Sequence, residues 1–214
     1  MLDKYETERY ALDRIKLYYC KDLSDFEDMI LKLEPPDFYI RAKSLAIEVT
    51  EAINKEDAEI RSWDNRMAQE DLSSDKRNEI IKSKNLKDTV KEQLYYRSCL
   101  GGGTYRRGIF RDASDNIRIV CMSIVDKTEK LNKKINYGIQ DEVNNKWLYI
   151  ISFWNSFNQF DIEKIVTHWK SIQNKYHDHF DIIFIDCNTD IYVLYKDRGF
   201  TILKTDNKYI DLIK

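Results

Sequence analysis

Pro35-Pro36-Asp37-Phe38-Tyr39-Ile40-Arg41 is followed, after Ala42, Lys43 and Ser44, by Leu45-Ala46-Ile47-Glu48-Val49-Thr50-Glu51. The two prolines are the only ones in the chain, and a locked φ with no N–H stops any helix that reaches them. Past them the apolar and polar residues alternate, with a break at Lys43 and Ser44, which predicts a β-hairpin. Residues directly opposite in an antiparallel pair share a face. An even loop of two or four residues around Lys43 and Ser44 sets Tyr39 opposite Glu48 and Asp37 opposite Thr50. Asp37 and Glu48 then become diagonal neighbours on one face, about 7 to 8 Å apart at the backbone. Phe38, Ile40, Ile47 and Val49 take the other face and anchor the hairpin to a core. Two carboxylates facing each other repel unless a cation lies between them. Carboxylate oxygens at roughly 2.1 Å are the ligands that Mg²⁺ prefers.

Upstream, Leu12, Ile15, Leu17 and Tyr18, then Phe26, Met29, Ile30 and Leu33, recur at helical spacing, and two helices are expected between Tyr5 and Leu33. Ser24 and Glu27 are placed as a capping box for the second. Downstream, residues 54–113 read as a largely helical and loop insertion. Ile60, Trp63 and Met67, and then Val90 and Leu94, mark two or more amphipathic helices separated near Ser73 and Ser74. Gly101 to Gly103 open a basic loop that contains Arg106, Arg107 and Arg111. Ile117, Val120, Cys121, Ile124, Leu131 and Ile135 predict a helix from about Ser114 to Asn136, with Lys127, Lys130 and Lys134 in one stripe.

In the last third, Trp147 to Phe153 reads as a continuous apolar strand of the fully buried kind, and Phe180 to Asp186 as a second buried strand. Between them Ile162, Ile165, Val166, Trp169, Ile172 and Tyr176 line one helix face. That is a βαβ crossover, which demands a parallel strand pair. Ile191 to Tyr195 and Phe200 to Leu203 follow as a terminal meander. The fold class expected is α/β: a single domain over 1–214, with a mixed central β-sheet flanked by helices.

The Pro-Asp pair followed by Glu-x-x on a hairpin resembles the PD-(D/E)XK nuclease superfamily, in which a helix precedes the hairpin and a strand, a helix and a strand complete the core. The resemblance covers about residues 24–53 and 115–186 and implies a restriction-endonuclease-like core around a family-specific insertion. It implies Asp37 and Glu48 as metal-binding acids for Mg²⁺ or Mn²⁺, with the Val49 carbonyl as an extra ligand and Glu27 or Glu34 as a further carboxylate. Thr50 stands at the place of the catalytic lysine. A hydroxyl has no positive charge with which to orient the attacking water or stabilise the transition state. The resemblance allows that lysine to come from a neighbouring helix, which makes Lys127, Lys130 and Lys134 the candidates. The implied reaction is metal-assisted hydrolysis of phosphodiester bonds in DNA. Arg106, Arg107 and Arg111 are candidate phosphate contacts, because an arginine fork matches phosphate geometry.

Composition bounds these expectations. The 214 residues are 43% apolar and 34% charged, enough for one packed core with a solvated surface. A net charge of -2 argues against a general polyanion binder. The segment from Arg97 to Asn136 nevertheless holds nine basic residues against four acidic ones, the footprint of a local phosphate-binding surface. No apolar run is long enough to span a bilayer, and Cys20, Cys99, Cys121 and Cys187 show no metal-binding spacing. A cytoplasmic protein with reduced thiols and no membrane partner is expected. The sequence does not fix the oligomeric state; a duplex-cutting nuclease, which commonly needs two active sites, is compatible with a symmetric homodimer. The alternative is a catalytically inactive nuclease-fold binding protein, immunity-like or antitoxin-like, acting through a protein or nucleic-acid partner. A third reading is a metal-independent nucleic-acid binder.

Overall fold

The computed structural model describes residues 4–19, 30–31, 36–40, 43–53, 55–70, 72–99, 113–133, 143–152 and 157–205. The chain divides into two compact units, residues 1–52 with 112–214, and residues 53–111. The first is a mixed α/β unit. Its strands are β1 (Ile30–Leu31), β2 (Phe38–Ile40), β3 (Leu45–Glu51), β4 (Asn145–Ile151), β5 (Ile182–Asp186), β6 (Asp190–Tyr195) and β7 (Phe200–Lys204). They form one sheet in sequence order. The central strands β3, β4 and β5 run parallel, and antiparallel meanders flank them on both sides.

Strand alternation divides the apolar residues between two cores. Tyr149, Phe184, Val193 and the hairpin residues Phe38, Ile40, Leu45, Ile47 and Val49 face α1 (Lys4–Tyr18), which buries Tyr10, Ala11, Leu12 and Ile15 against them. Leu148, Ile150, Ile183, Ile185 and Leu194 face the other way, toward α5 (Ala113–Lys133) and α6 (Gln159–Gln173). Covering both faces explains why residues 147–151 of β4 and 182–185 of β5 are apolar at successive positions. The start of α6 is fixed by Asn158, whose side chain accepts from Asp161 N–H at 3.0 Å while the Asp161 carboxylate accepts from Asn158 N–H at 3.1 Å. The β4–α6–β5 crossover and the terminal meander match the expected alternation.

The second unit contains α2 (Lys55–Gln69), α3 (Ser74–Ser83) and α4 (Asp88–Cys99). Ile60, Met67, Ile81, Val90 and Leu94 form its own small core. The interval read as an insertion is therefore three helices with a packed interior.

Two expectations are corrected. Ile30 and Leu31 pair with Ile40 and Tyr39 as an edge strand, so the second upstream helix does not run through them. The spacing of Met29, Ile30 and Leu33 fits a helix turn, but pairing with the hairpin edge prevails over that local preference. The hairpin register is also displaced: Phe38 lies opposite Ile47, Tyr39 opposite Ala46 and Ile40 opposite Leu45. Four residues, 41–44, join the strands, and Ser44 takes a positive φ of 45°. A two-residue loop would have needed positive φ at Lys43, in type II′, or at both Lys43 and Ser44, in type I′. The slip is by two in the pairing sum, so every side chain keeps its expected face.

One polar lock ties α1 to the sheet. Arg14 and Asp186 are 1% and 0% exposed, and the guanidinium donates to both carboxylate oxygens, at 3.0 and 3.1 Å. Asp186 also accepts from Tyr149 Oη at 2.5 Å and from Asn188 N–H at 2.7 Å, while Arg14 donates to the Asn188 carbonyl at 2.6 Å. Removing one partner strands a buried charge, at a cost of about 3 to 5 kcal/mol. Arg14→Ala should lose about that much in urea unfolding, and Arg14→Met with Asp186→Leu should lose less than the sum of the two single changes. Additive losses in the double variant would contradict coupling through this pair.

Candidate functional site

Glu48 is the residue of β3 that breaks the apolar run, and its side chain is only 10% exposed. It lies opposite Leu148 of β4 in the register, on the sheet face that α5 and α6 cover. The buried stripe of α5 is Val120, Cys121, Ile124, Thr128 and Leu131, and Lys127 stands at the flank of that stripe. From there its ammonium reaches Glu48 Oε2 at 2.9 Å, with the lysine side chain 18% exposed. A carboxylate held on a covered sheet face needs such a charge-assisted partner.

Asp37 lies just before β2, half-buried. Its Oδ2 accepts from the Val49 N–H at 2.7 Å. Continuing the observed register outward sets Asp37 opposite Glu48 and Pro36 opposite Val49. The sequence had placed the two acids as diagonal neighbours; the register makes them a direct pair. In a strand, the N–H and C=O of one residue point to the same side, so the Val49 carbonyl also faces the Asp37 side. Pro36 has no N–H to offer it.

Burial raises the Asp37 carboxyl above its ordinary pKa, the Val49 N–H opposes that shift, the Glu48 charge adds to it, Lys127 opposes it, and Glu8 adds to it again. Glu8 is a residue the sequence reading missed. It is buried on α1 and paired with Lys4 at 3.6 Å. The signal was present: Glu8, Ala11, Leu12 and Ile15 fall at i, i+3, i+4 and i+7, which puts a carboxylate on the apolar stripe of the helix.

The other candidates separate. Lys130 is exposed and pairs with Asp126 at 2.7 Å, away from the face that Lys127 uses. Thr50 shares the sheet face of Glu48 and is half-buried. Glu27, Glu34, Lys134, Arg106, Arg107 and Arg111 lie outside the described residues. Among the described residues no three His, Cys, Asp or Glu side chains gather as a metal-binding group. What remains is a set of hard oxygen donors from Asp37, Glu48 and the Val49 main chain, with a lysine beside it. That set suits a small divalent cation held by one or two carboxylates, with water completing the shell.

The raised Asp37 carboxyl has a consequence for stability. An acid whose folded-state pKa exceeds its unfolded value favours the folded state while protonated. That contribution is complete below about pH 4 and lost as pH rises through the folded value. In EDTA, Asp37→Asn should therefore melt above wild type at pH 7, with the gap closing as pH falls toward 4. A variant that melts no higher at pH 7, with an unchanged circular dichroism spectrum, would contradict the penalty.

Compared with family models, curated proteins and solved structures, the chain matches none, so the reading of this site rests on its own geometry.

Proposed function

We propose that the chain is a divalent-metal-dependent nuclease with a restriction-endonuclease-like core, hydrolysing phosphodiester bonds in DNA. The observation that carries this reading is the convergence of Asp37, Glu48 and Lys127, contributed by the start of the hairpin, by β3 and by α5. Lys127 brings to the carboxylates the positive charge that Thr50 lacks. The order of α1, the antiparallel run β1–β2–β3, α5, the parallel strand β4, α6 and the parallel strand β5 around them adds support.

In this reading Asp37, Glu48 and the Val49 carbonyl would hold Mg²⁺ or Mn²⁺. When bound, the cation polarises a phosphoryl oxygen and lowers the pKa of a water. Val49 N–H fixes the orientation of the Asp37 carboxylate. Glu48 would position the Lys127 ammonium to hydrogen-bond the attacking water or a non-bridging phosphate oxygen and to stabilise charge that develops in the transition state. Partial burial of the lysine strengthens that interaction, since less water screens it.

One observation favours the alternative of an inactive nuclease-fold binding protein. Lys127 already neutralises Glu48 internally, so the pair is stable without a cation. A fold hosts many functions, and only the site decides between them. Supercoiled plasmid, linear duplex and single strands incubated with protein in Mg²⁺ or Mn²⁺ separate the two. The nuclease reading expects cleavage that is abolished by EDTA, by Asp37→Ala and by Glu48→Ala. Lys127→Ala should cost about 10² to 10³ in rate, and adding Thr50→Lys to it should restore part of the loss. No cleavage of any substrate, or cleavage that survives both carboxylate changes, sinks the reading and turns attention to a protein partner.

A further inference from the structure

The helical unit of α2, α3 and α4 carries a charged surface that the reading above does not use. Lys82-Ser83-Lys84-Asn85-Leu86-Lys87 holds three lysines and no acid. α3 ends at Ser83 and α4 begins at Asp88, so this stretch is the last turn of α3 and the connection to α4. Lys82, Ser83, Lys84, Asn85 and Lys87 are all exposed. Leu86 is the exception, packing on the small core of the unit, and it pins the connection in place. Two backbone hydrogen bonds order it further, Lys84 N–H to the Ile81 carbonyl and Leu86 N–H to the Lys84 carbonyl.

A second element adds to the same spot. The half-buried indole of Trp63 on α2 carries the Arg66 guanidinium, 5.5 Å from the ring centroid, and the Lys84 ammonium at 5.8 Å. An aromatic ring attracts each cation, which gathers two positive groups beside the connection. Arg66 is offset by Glu70 at 3.3 Å and Lys87 by Glu56 at 2.8 Å. Neither Lys82 nor Lys84 has a carboxylate partner among the described residues. Holding Lys84 on the indole also restricts it before any ligand arrives, which lowers the entropic cost of engaging one.

We propose that this α3–α4 connection, with Trp63 and Arg66 behind it, is a contact surface for the phosphate backbone of duplex DNA. Lysine ammoniums act as point charges toward phosphates, and the neighbouring Ser83 and Asn85 supply neutral donors of the kind that bind phosphate oxygens. Lys82 and Lys84 are point charges rather than planar forks, and Arg66 is engaged by Glu70, so the surface contributes affinity and register rather than sequence choice. The proposal deepens the nucleic-acid part of the function above and places a contact on a surface which that reading leaves idle.

The test is fluorescence anisotropy of the full chain with a labelled duplex of arbitrary sequence, in EDTA so that no cleavage intervenes, from 50 to 200 mM salt. Removing two phosphate contacts should lower the magnitude of the slope of log affinity against log salt by about 1.8. Lys82→Gln with Lys84→Gln should show that loss and bind about tenfold or more weakly at the lowest salt, a change equal for unrelated sequences. Lys82→Arg with Lys84→Arg should keep the wild-type slope. Absence of duplex binding by the wild type at 50 mM salt overturns the proposal, as does an unchanged slope and affinity in the glutamine variant. Asp37→Ala keeps the two readings apart: it removes cleavage if the nuclease reading holds, and it leaves this metal-free binding intact.

Discussion

A sheet covered on both faces leaves no room for an unmatched charge, and that constraint organises the α/β unit. Burying an ionised side chain is tolerable only with a partner in hydrogen-bonding geometry. The two most covered charges on the central parallel strands are Glu48 on β3 and Asp186 on β5. They are matched from opposite sides, Asp186 by Arg14 of α1 and Glu48 by Lys127 of α5. Each pair therefore fixes one covering helix to the sheet. They differ in access: Arg14 and Asp186 are sealed, whereas Lys127 keeps part of its side chain in solvent. A sealed pair can only hold the fold together, while a pair at the rim can also meet a ligand.

Much of this was legible in the sequence where one periodicity dominated. Trp147 to Ile151 and Ile182 to Ile185 are apolar at every position, and a strand covered on both sides accounts for such runs. The hairpin faces were legible too, because alternation through Phe38, Ile40, Ile47 and Val49 survives a register slip of two. The register itself was not, since it depends on whether Ser44 adopts a positive φ, and no side chain near Lys43 announces that. Ile30 and Leu31 were misread for a related reason: two residues carry too little periodicity to distinguish a helix turn from an edge strand.

The candidate site was legible in part. Asp37 and Glu48 follow from proline punctuation and a carboxylate on a β-strand, both local signals. That Lys127 meets Glu48 is a tertiary fact, set by how α5 lies on the sheet across 79 residues of sequence. Spacing alone grouped Lys127 with Lys130 and Lys134. The helix turns Lys130 toward Asp126 and solvent, and a position three residues away on a packed helix is enough to leave the site. Glu8 is hidden among the apolar residues of α1, although a carboxylate within that stripe is the more informative feature.

The central claim is that Asp37 and Glu48 share a divalent cation beside Lys127. Mn²⁺ binding to the full chain, followed by electron paramagnetic resonance of free Mn²⁺, tests it without requiring a substrate. One site in the wild type, lost or greatly weakened in both Asp37→Asn and Glu48→Gln, is the result the account predicts. Wild-type protein that binds no Mn²⁺, or binding equally strong in both variants, would contradict it.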